Sequence, residues 1–303
     1  MPTVLDLIEI GFRAELDPQG WKMLRQMRQI ARSNTLSRAV HSTGPNPVGF
    51  VWVEDGQVIG NLSLRHAQPR SHHGRMIGNV VVHPDWRGHG IARALMERAI
   101  QAVQEQDARW VGLEVRANNL VACRLYEHLG FRPVGRTVHL LRPDGMEWPR
   151  PPQPALVWRR SKPQDDTHWK RMAAMMHSYD QRLVLEIAAQ PFQFGRLEHH
   201  LSLWLGRQRE QAVLHEDETG AVTMAIQLKT DRRFRFHVWE LLAAPEPGDR
   251  DAQEIVNQCL DRMKRFPPWP AIAMVPEQSP LVDRLTAIGF GHHRTLQQMI
   301  LEF

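Results

Sequence analysis

Two glycines, Gly88 and Gly90, follow a valine-rich run and come directly before an apolar pattern of helical spacing. Glycine adopts left-handed backbone conformations readily, and it leaves no Cβ in the way of a ligand that approaches the main chain. Such a loop at the start of a helix presents unpaired backbone N–H groups and the positive end of the helix dipole. Arg87 adds a guanidinium that can form charge-assisted hydrogen bonds with an anion. The spacing favours a phosphate-binding loop, with a plain structural turn as the alternative.

The elements that must position this loop follow from the hydrophobic pattern. The run at 77–82 is short and rich in valine, which predicts a buried strand, and near-helical spacing predicts a helix over 90–106. Upstream, Asp55-Gly56 separates two alternating runs and is the strongest short-range signal for a β-hairpin. Strand, helix and strand patterns continue to residue 142, with Gly130 as a helix stop. This alternation predicts the α/β fold class.

The same order of patterns recurs in the second half of the chain. Proline is dense at 143–154, which predicts a linker between a domain over 1–142 and a domain over 155–303. After it come helical patterns at 166–180 and 194–208, a hairpin turning at Thr219-Gly220, and alternating strands and helices. The repetition indicates an internal duplication. We therefore expect two tandem domains, each a mixed twisted sheet flanked by helices.

Composition sets limits on the function. The chain has 303 residues, 42% of them hydrophobic and 23% charged, which is typical of a soluble globular protein. No apolar run approaches the ~20 residues that cross a bilayer and no leader pattern follows Met1, so we expect a cytoplasmic protein without a membrane partner. The two cysteines are too few for a disulfide framework. The net charge of +5 is not concentrated in a long basic block, so no nucleic-acid partner is expected.

Adjacent histidine pairs raise the question of a metal site. Neighbouring residues in a helix or strand point in different directions, so such a pair does not converge on one ion. No cluster of cysteines or carboxylates completes a tetrahedral set around any pair, and we predict no metal. The pairs stand at 72–73, 199–200 and 292–293.

Two motifs in the first half resemble those of the GCN5-related N-acetyltransferase (GNAT) superfamily. The superfamily loop reads Arg/Gln-x-x-Gly-x-Gly/Ala, and Arg87, Gly90 and Ala92 occupy its fixed positions. The second motif, "LEVRANNLVACRLYEHLGF" at 113–131, is most similar to the ribosomal-protein alanine N-acetyltransferase branch. Both motifs lie in the expected order. The resemblance implies two tandem GNAT-like domains, with acetyl-coenzyme A as the co-substrate of the first.

The resemblance also implies which residues would hold the coenzyme. Its pyrophosphate would lie on the backbone N–H groups of the loop and of the first helical turn. Its pantetheine arm would pair with the preceding strand in the manner of an added β-strand. The implied coenzyme-binding residues are Val81, Val82, Arg87, Gly88, His89, Gly90, Ile91, Ala92, Arg93, Asn119 and Tyr126.

Two residues are candidates for the chemistry of acetyl transfer. An amine with a pKa near ~10 must lose a proton before it attacks a thioester. Glu114 matches the glutamate of the alanine N-acetyltransferase branch, and the resemblance makes it the candidate base, directly or through a water. Tyr126 matches the family tyrosine near the thioester sulfur and is the candidate acid for the departing thiolate, and the Val82 N–H is a candidate donor to the developing oxyanion. Simpler interpretations stay open: Glu114 as a solvated strand residue and Tyr126 as a packing residue. For His83 and Asp85 a turn or cap function is preferred.

The second half departs from the loop pattern. The corresponding segment at 245–252 lacks the glycine pair. Glu246, Asp249 and Asp251 would place negative charge where a pyrophosphate should lie, which is electrostatically unfavourable. Counting from the shared Gly-Phe pair, Leu285 stands where the first half has Tyr126. We expect the second domain to bind no coenzyme and to support the acceptor side of the site.

The combined prediction is an N-acetyltransferase that acts on a primary amine of a small molecule or on a peptide N-terminus. One alternative is a non-catalytic acyl-coenzyme A sensor, and another is a small-molecule acetyltransferase similar to mycothiol synthase, which is also a tandem protein. A nucleic-acid-associated protein is a third alternative. The sequence does not identify the acceptor, the acyl chain or the oligomeric state.

Overall fold

A computed structural model of the chain describes residues 4–13, 21, 24–25, 28, 48–66, 74–106, 108–162, 165, 208–232, 234–243 and 247–303. The helix predicted at 166–180 and Glu246 lie outside these residues, as does the helix predicted at 194–208 except for Gln208, which lies in a strand. In the described part of the chain, no helix is long and apolar enough to cross a membrane.

The chain divides into two compact units. Unit 1 comprises residues 1–114, 120–132 and 299–303, and unit 2 comprises residues 115–119 and 133–298. The predicted domains at 1–142 and 155–303, with a linker at 143–154, stay a prediction. The compact units differ from those boundaries, because residues 115–119 and 133–154 belong to unit 2 and residues 299–303 belong to unit 1.

Unit 1 contains the elements predicted around the glycine loop. The strand order is β1-β2-β3-β4, followed by the end of the last strand of the chain. The predicted hairpin is confirmed, because Asp55 and Gly56 turn the chain with φ of 46° and 72°. The elements are α1 (Val4–Phe12), β1 (Val48–Glu54), β2 (Gln57–His66), β3 (Gly74–Val82), a 3-10 turn (Pro84–Trp86), α2 (Ile91–Gln104), β4 (Trp110–Arg116) and α3 (Leu120–His128).

Two glycines let the helices of unit 1 approach its sheet. A Cβ on Gly60 of β2 would lie 3.0 Å from Cγ2 of Ile91 and 3.1 Å from Cδ1 of Leu95, so α2 packs closely on this strand. A Cβ on Gly11 of α1 would overlap Cγ2 of Val81 in β3. The absence of a side chain at these positions seats both helices against the strands that lead to the loop.

The strands of unit 2 include both parallel and antiparallel pairs. Their order is β11-β5-β10-β9-β8-β7-β6, with β10 parallel to β9 and antiparallel to β5. The predicted hairpin is confirmed between β7 and β8, where Gly220 has φ of 80°. The elements are β5 (Arg132–Arg142), β6 (Arg159–Arg160), β7 (Gln208–Glu216), β8 (Val222–Asp231), β9 (Phe236–Ala243), α4 (Asp249–Met263), β10 (Ala271–Pro276), α5 (Leu281–Ala287) and β11 (Gly291–Glu302).

Polar side chains hold the proline-dense segment to unit 2. The buried Arg142 guanidinium lies 4.2 Å from the centre of the Trp148 ring and donates hydrogen bonds to the carbonyls of Met146 (2.6 Å), Glu147 (2.7 Å) and Ile288 (3.0 Å). Further along, the Glu254 carboxylate on α4 accepts hydrogen bonds from the backbone N–H groups of residues 155 and 156, both at 3.2 Å. This segment is therefore part of the packed structure of unit 2, since two of its carbonyls bond to the Arg142 side chain of β5 and the residues directly after it bond to α4.

Candidate functional site

Strands β3 and β4 are paired over only part of their length. Their parallel ladder runs from Gly74 opposite Trp110 to Ile77 opposite Leu113 and stops there, although β3 continues to Val82. The last five residues of β3 therefore have no ladder partner on the β4 side. A strand edge of this kind offers backbone N–H and C=O groups to an extended ligand.

A bulge in β3 starts where the ladder ends. Asn79 has φ of 52°, and two residues of β3 stand opposite one residue of β2 at this point. The buried Asn61 amide donates a hydrogen bond to the Asn79 carbonyl at 3.0 Å, and the Asn79 amide donates to the Ser63 hydroxyl at 3.3 Å. These polar residues were not singled out from the sequence. The available signal was an asparagine, a residue tolerant of positive φ, inside a valine-rich strand.

The glycine loop has the backbone conformation expected for its residues. Gly88 has φ of 84° and Gly90 has φ of 78°, values that favour glycine strongly. A Cβ placed on either residue would meet nothing within 4 Å, so the space beside the loop is open. The ring of His89 donates a hydrogen bond from Nδ1 to the Arg87 carbonyl at 3.0 Å, which closes the loop on itself. The glycines are thus needed for backbone conformation and leave one side accessible.

Helix α2 starts without a side-chain cap. Gly90 is its N-cap residue, and the first hydrogen bond of the helix runs from the Ala94 N–H to the Gly90 carbonyl at 3.0 Å. The N–H groups of Ile91, Ala92 and Arg93 precede that bond and have no helical carbonyl one turn earlier. The first turn also contains no acidic residue. Together these features leave the positive end of the helix dipole available to an anion.

The residues around the turn hold the loop in place. Nε of Arg87 donates a hydrogen bond to the carbonyl of Val82 at 3.3 Å, which ties the loop to the end of β3. The Arg87 side chain is otherwise exposed. His83 caps the 3-10 turn by accepting a hydrogen bond from the Asp85 N–H at 3.4 Å, so the predicted turn function of these two residues is confirmed.

The candidate chemical residues lie on the two elements that follow. Glu114 is half-buried on β4, one residue beyond the end of the ladder with β3. Tyr126 is buried in α3 with 6% of its surface exposed, and its ring centre lies 6.1 Å from that of Phe131. Burial raises the pKa of Tyr126 to about 12, and the nearby Cys123 thiol adds to the effect. Both candidates belong to unit 1, whereas the exposed Asn119 belongs to unit 2.

The corresponding segment of unit 2 has a different construction. Its helix α4 starts after Gly248, which has an ordinary φ of −67°, and carries Asp249 and Asp251 in its first turn. The Asp249 carboxylate pairs with the Arg284 guanidinium at 3.2 Å. Leu285 is completely buried in the core of unit 2. These carboxylates occupy the position that an anion would need, which agrees with the electrostatic argument made from the sequence.

In the described ranges, metal-ligating side chains do not form a group of three or more that could hold an ion. These ranges include the pair at 292–293, while the pairs at 72–73 and 199–200 lie outside the described residues. In the described pair, Nε2 of His292 lies 2.9 Å from the Thr295 hydroxyl, at hydrogen-bond distance.

Comparison with known proteins supports this description. Residues 15–131 match the model of the acetyltransferase (GNAT) family. A 53-residue stretch is 43% identical to the ribosomal protein bS18-alanine N-acetyltransferase of Escherichia coli and covers 18% of the present chain and 36% of that enzyme. The chain thus spans little more than a third of the length of the curated relatives that it matches first.

Solved structures resemble the chain over a much longer range. A GCN5-related N-acetyltransferase from Sphaerobacter thermophilus aligns with a TM-score of 0.62 over 99% of this chain and 92% of its own, at 16% identity. A tandem GNAT protein from the clavulanic acid biosynthesis pathway aligns with a TM-score of 0.53 over 83% of this chain and 81% of its own, also at 16% identity. At such identities the likeness concerns the fold. The chain therefore has the α/β fold of a tandem GNAT protein and carries, over residues 15–131, a domain of the GNAT acetyltransferase family.

Proposed function

We propose that this protein transfers an acetyl group from acetyl-coenzyme A to a primary amine. The observation that carries the proposal is the loop of Gly88 and Gly90 at the uncapped start of α2. The open side of the loop leaves room for a pyrophosphate, and its N–H groups can donate hydrogen bonds to the phosphate oxygens. Pyrophosphates bind where backbone donors converge at a helix N-terminus. The family match over 15–131 supports the same ligand.

The rest of the coenzyme would follow β3. The edge of this strand beyond Ile77 has no ladder partner on the β4 side, and an extended pantetheine arm carries amides that can pair with such an edge. Val81 and Val82 are buried there, and Val82 is held in place through its carbonyl by Arg87. This arrangement would deliver the thioester toward Glu114, at the point where β3 and β4 separate.

Glu114 is proposed as the base. It stands one residue beyond the last paired residue of β4 and is half-buried, so it is both near the separating strands and accessible to solvent. A carboxylate there can take a proton from the ammonium form of the acceptor, directly or through a water. The free amine then attacks the thioester carbon, and the Val82 N–H is proposed to stabilise the carbonyl oxygen as it gains negative charge.

Tyr126 is proposed as a hydrogen-bond donor to the departing sulfur. The pKa of its hydroxyl is about 12, whereas an ordinary thiol has a pKa of about 8.5. Full proton transfer from this phenol to a thiolate would be unfavourable by roughly 5 kcal/mol, because one pKa unit is about 1.4 kcal/mol. We therefore propose that Tyr126 donates a hydrogen bond to the sulfur and does not transfer its proton. The proton that the amine releases as the amide forms can neutralise the thiolate.

The acceptor class is proposed as a primary amine, on a small molecule or at a peptide N-terminus. The Escherichia coli relative is named for the alanine of a ribosomal protein, and its similar stretch covers 36% of that enzyme. This short similarity supports an amine acceptor in general. It supports no individual acceptor, since the remainder of the chain has no counterpart in that alignment.

The test is a calorimetric titration with acetyl-coenzyme A, followed by a thiol-release assay over a panel of amines. We expect one coenzyme site per chain and amine-dependent release of free thiol. Tyr126→Phe should lower kcat and leave coenzyme affinity close to that of the wild type, because only the departing sulfur loses a donor. Binding without turnover for any amine would favour a sensor, and the absence of binding would refute the proposal.

A further inference from the structure

Unit 2 contains a group of buried polar residues that the proposed acetyl transfer does not use. Val138 and Leu140 of β5 point into the apolar core of this unit. Alternate residues of a strand point to opposite faces, so Thr137 and His139 lie on the other face. Their exposed fractions are only 4% and 7%. A face that buries a hydroxyl and an imidazole beside each other requires an explanation in terms of hydrogen bonding.

The imidazole of His139 is part of a cationic environment. Nε of Arg294 on β11 donates a hydrogen bond to Nδ1 of His139 at 3.3 Å. Burial has the largest effect on the pKa of His139 and, together with the positive charges of Arg294, His293 and Arg116, lowers it to about 3. The ring is therefore neutral near pH 7. Because Nδ1 accepts a hydrogen bond, Nε2 carries the proton and is a donor.

Backbone pairing brings the second arginine to this place. The Ala117 N–H donates a hydrogen bond to the Thr295 carbonyl at 2.9 Å, so the chain at the end of β4 runs beside β11 within unit 2. Arg116 directly precedes that bond, and Arg294 directly precedes its acceptor. Two guanidinium groups therefore lie near one neutral histidine, and both carry only donors.

The hydroxyl of Thr137 supplies an independent indication of a ligand. Its Oγ1 is buried and has no hydrogen-bond partner among the described residues. Leaving a buried hydroxyl unsatisfied costs about 1–3 kcal/mol, so such a hydroxyl usually has a water, an ion or a ligand as its partner. Thr137 is two residues from His139 on the same face of the same strand, which places this unused hydrogen-bonding group next to the donors. We call Arg116, Thr137, His139 and Arg294 the His139 cluster.

We propose that the His139 cluster binds a small carboxylate. Each member offers at least one proton donor, and a carboxylate is an acceptor with about four lone-pair sites. The planar guanidinium matches a carboxylate in two-point geometry, which favours this anion over a neutral acceptor. The site lies in unit 2 and includes none of the residues that the family resemblance assigns to the coenzyme. It therefore does not depend on acetyl transfer.

The experiment is a thermal-unfolding and calorimetric titration of the full chain with succinate, acetate and citrate, and then with phosphate and sulfate, at ionic strength held constant with chloride. We expect saturable stabilisation by at least one of the three carboxylates. Arg294→Gln should weaken the binding by about 10- to 100-fold, the effect of one charge-assisted hydrogen bond. Thr137→Val keeps the shape of the side chain and should weaken it by about 2- to 10-fold.

The matched control is Arg136→Gln. Arg136 lies on β5 next to Thr137, points to the opposite face of the strand and contacts Glu277 at 3.6 Å, so carboxylate binding should not change. An acetyl-coenzyme A titration of every variant checks that unit 1 is intact. The proposal is overturned if no carboxylate binds saturably, if Arg294→Gln binds like the wild type, or if only phosphate and sulfate bind.

Discussion

Replacing Gly90 with valine tests the proposal that the loop of Gly88 and Gly90 binds phosphate. The residue has φ of 78°, where an L-residue costs about 1–2 kcal/mol and a β-branched residue somewhat more. A Cβ there would meet nothing within 4 Å, so the protein itself adds no steric penalty. This cost is a modest part of the 5–15 kcal/mol that stabilises a typical domain. We therefore expect Gly90→Val to fold.

The same substitution should strongly reduce affinity for acetyl-coenzyme A. The new side chain occupies the open side of the loop, and relaxation toward negative φ turns the N–H groups at the start of α2 away from a common point. Losing two hydrogen bonds to a charged group, at about 1.5–3 kcal/mol each, weakens binding by more than about 100-fold. Calorimetric titration measures this affinity directly, and a urea melt of the same sample measures the cost in stability.

Gly220→Val is the matched control. Gly220 has φ of 80° and an equally open Cβ position, but it lies in the β7–β8 turn of unit 2. Both variants should therefore lose similar stability, while only Gly90→Val loses the coenzyme. Our account of the loop fails if Gly90→Val binds within threefold of the wild type, or if Gly220→Val loses as much affinity.

Three further predictions concern the elements around the site and the His139 cluster. Asn61→Leu removes the hydrogen-bond donor to the Asn79 carbonyl. It should lower the free energy of unfolding in urea by about 1–3 kcal/mol and weaken coenzyme binding. Unchanged coenzyme affinity would show that the bulge does not shape the site. Gly11→Val should destabilise by about 1–3 kcal/mol, because its side chain overlaps Val81, and a neutral result would contradict the packing of α1. The pKa of His139 is about 3 in the folded protein, whereas an ordinary histidine in the unfolded chain has a pKa of 6.5. As the pH decreases through 6.5, the unfolded chain therefore binds a proton that the folded protein does not bind, and the free energy of unfolding falls. Between pH 7 and 5 the wild type should lose about 2 kcal/mol more than His139→Gln, whereas equal losses would refute this origin.

The local sequence was sufficient to predict those elements of the site whose conformation depends only on residues nearby in the chain. The hairpin at Asp55-Gly56 was predictable because its conformation needs only residues that tolerate positive φ. The start of α2 was predictable for the same reason, since Gly90 and the apolar spacing after it act within one helical turn. The resemblance of the motifs to a known family added the proposal that the coenzyme binds at this loop.

The opening between β3 and β4 was not predictable in this way. It follows a bulge whose carbonyl is held by Asn61 from the neighbouring strand, and nothing in the local pattern at 77–82 pairs Asn79 with that residue. A register shift depends on which groups meet across strands, so a valine-rich run indicates a buried strand without showing where its pairing ends.

The sequence by itself determined the α/β class, the duplication and the glycine loop, because periodicity and backbone preference act over a few residues. Only the tertiary structure decided that β5 lies between β10 and β11 within unit 2, and that Arg294 reaches His139 across 155 positions of the chain. The physical reason is that burial and charge at a residue depend on the partners that folding brings to it. Buried groups such as Thr137 and His139 become recognisable only when those partners are known.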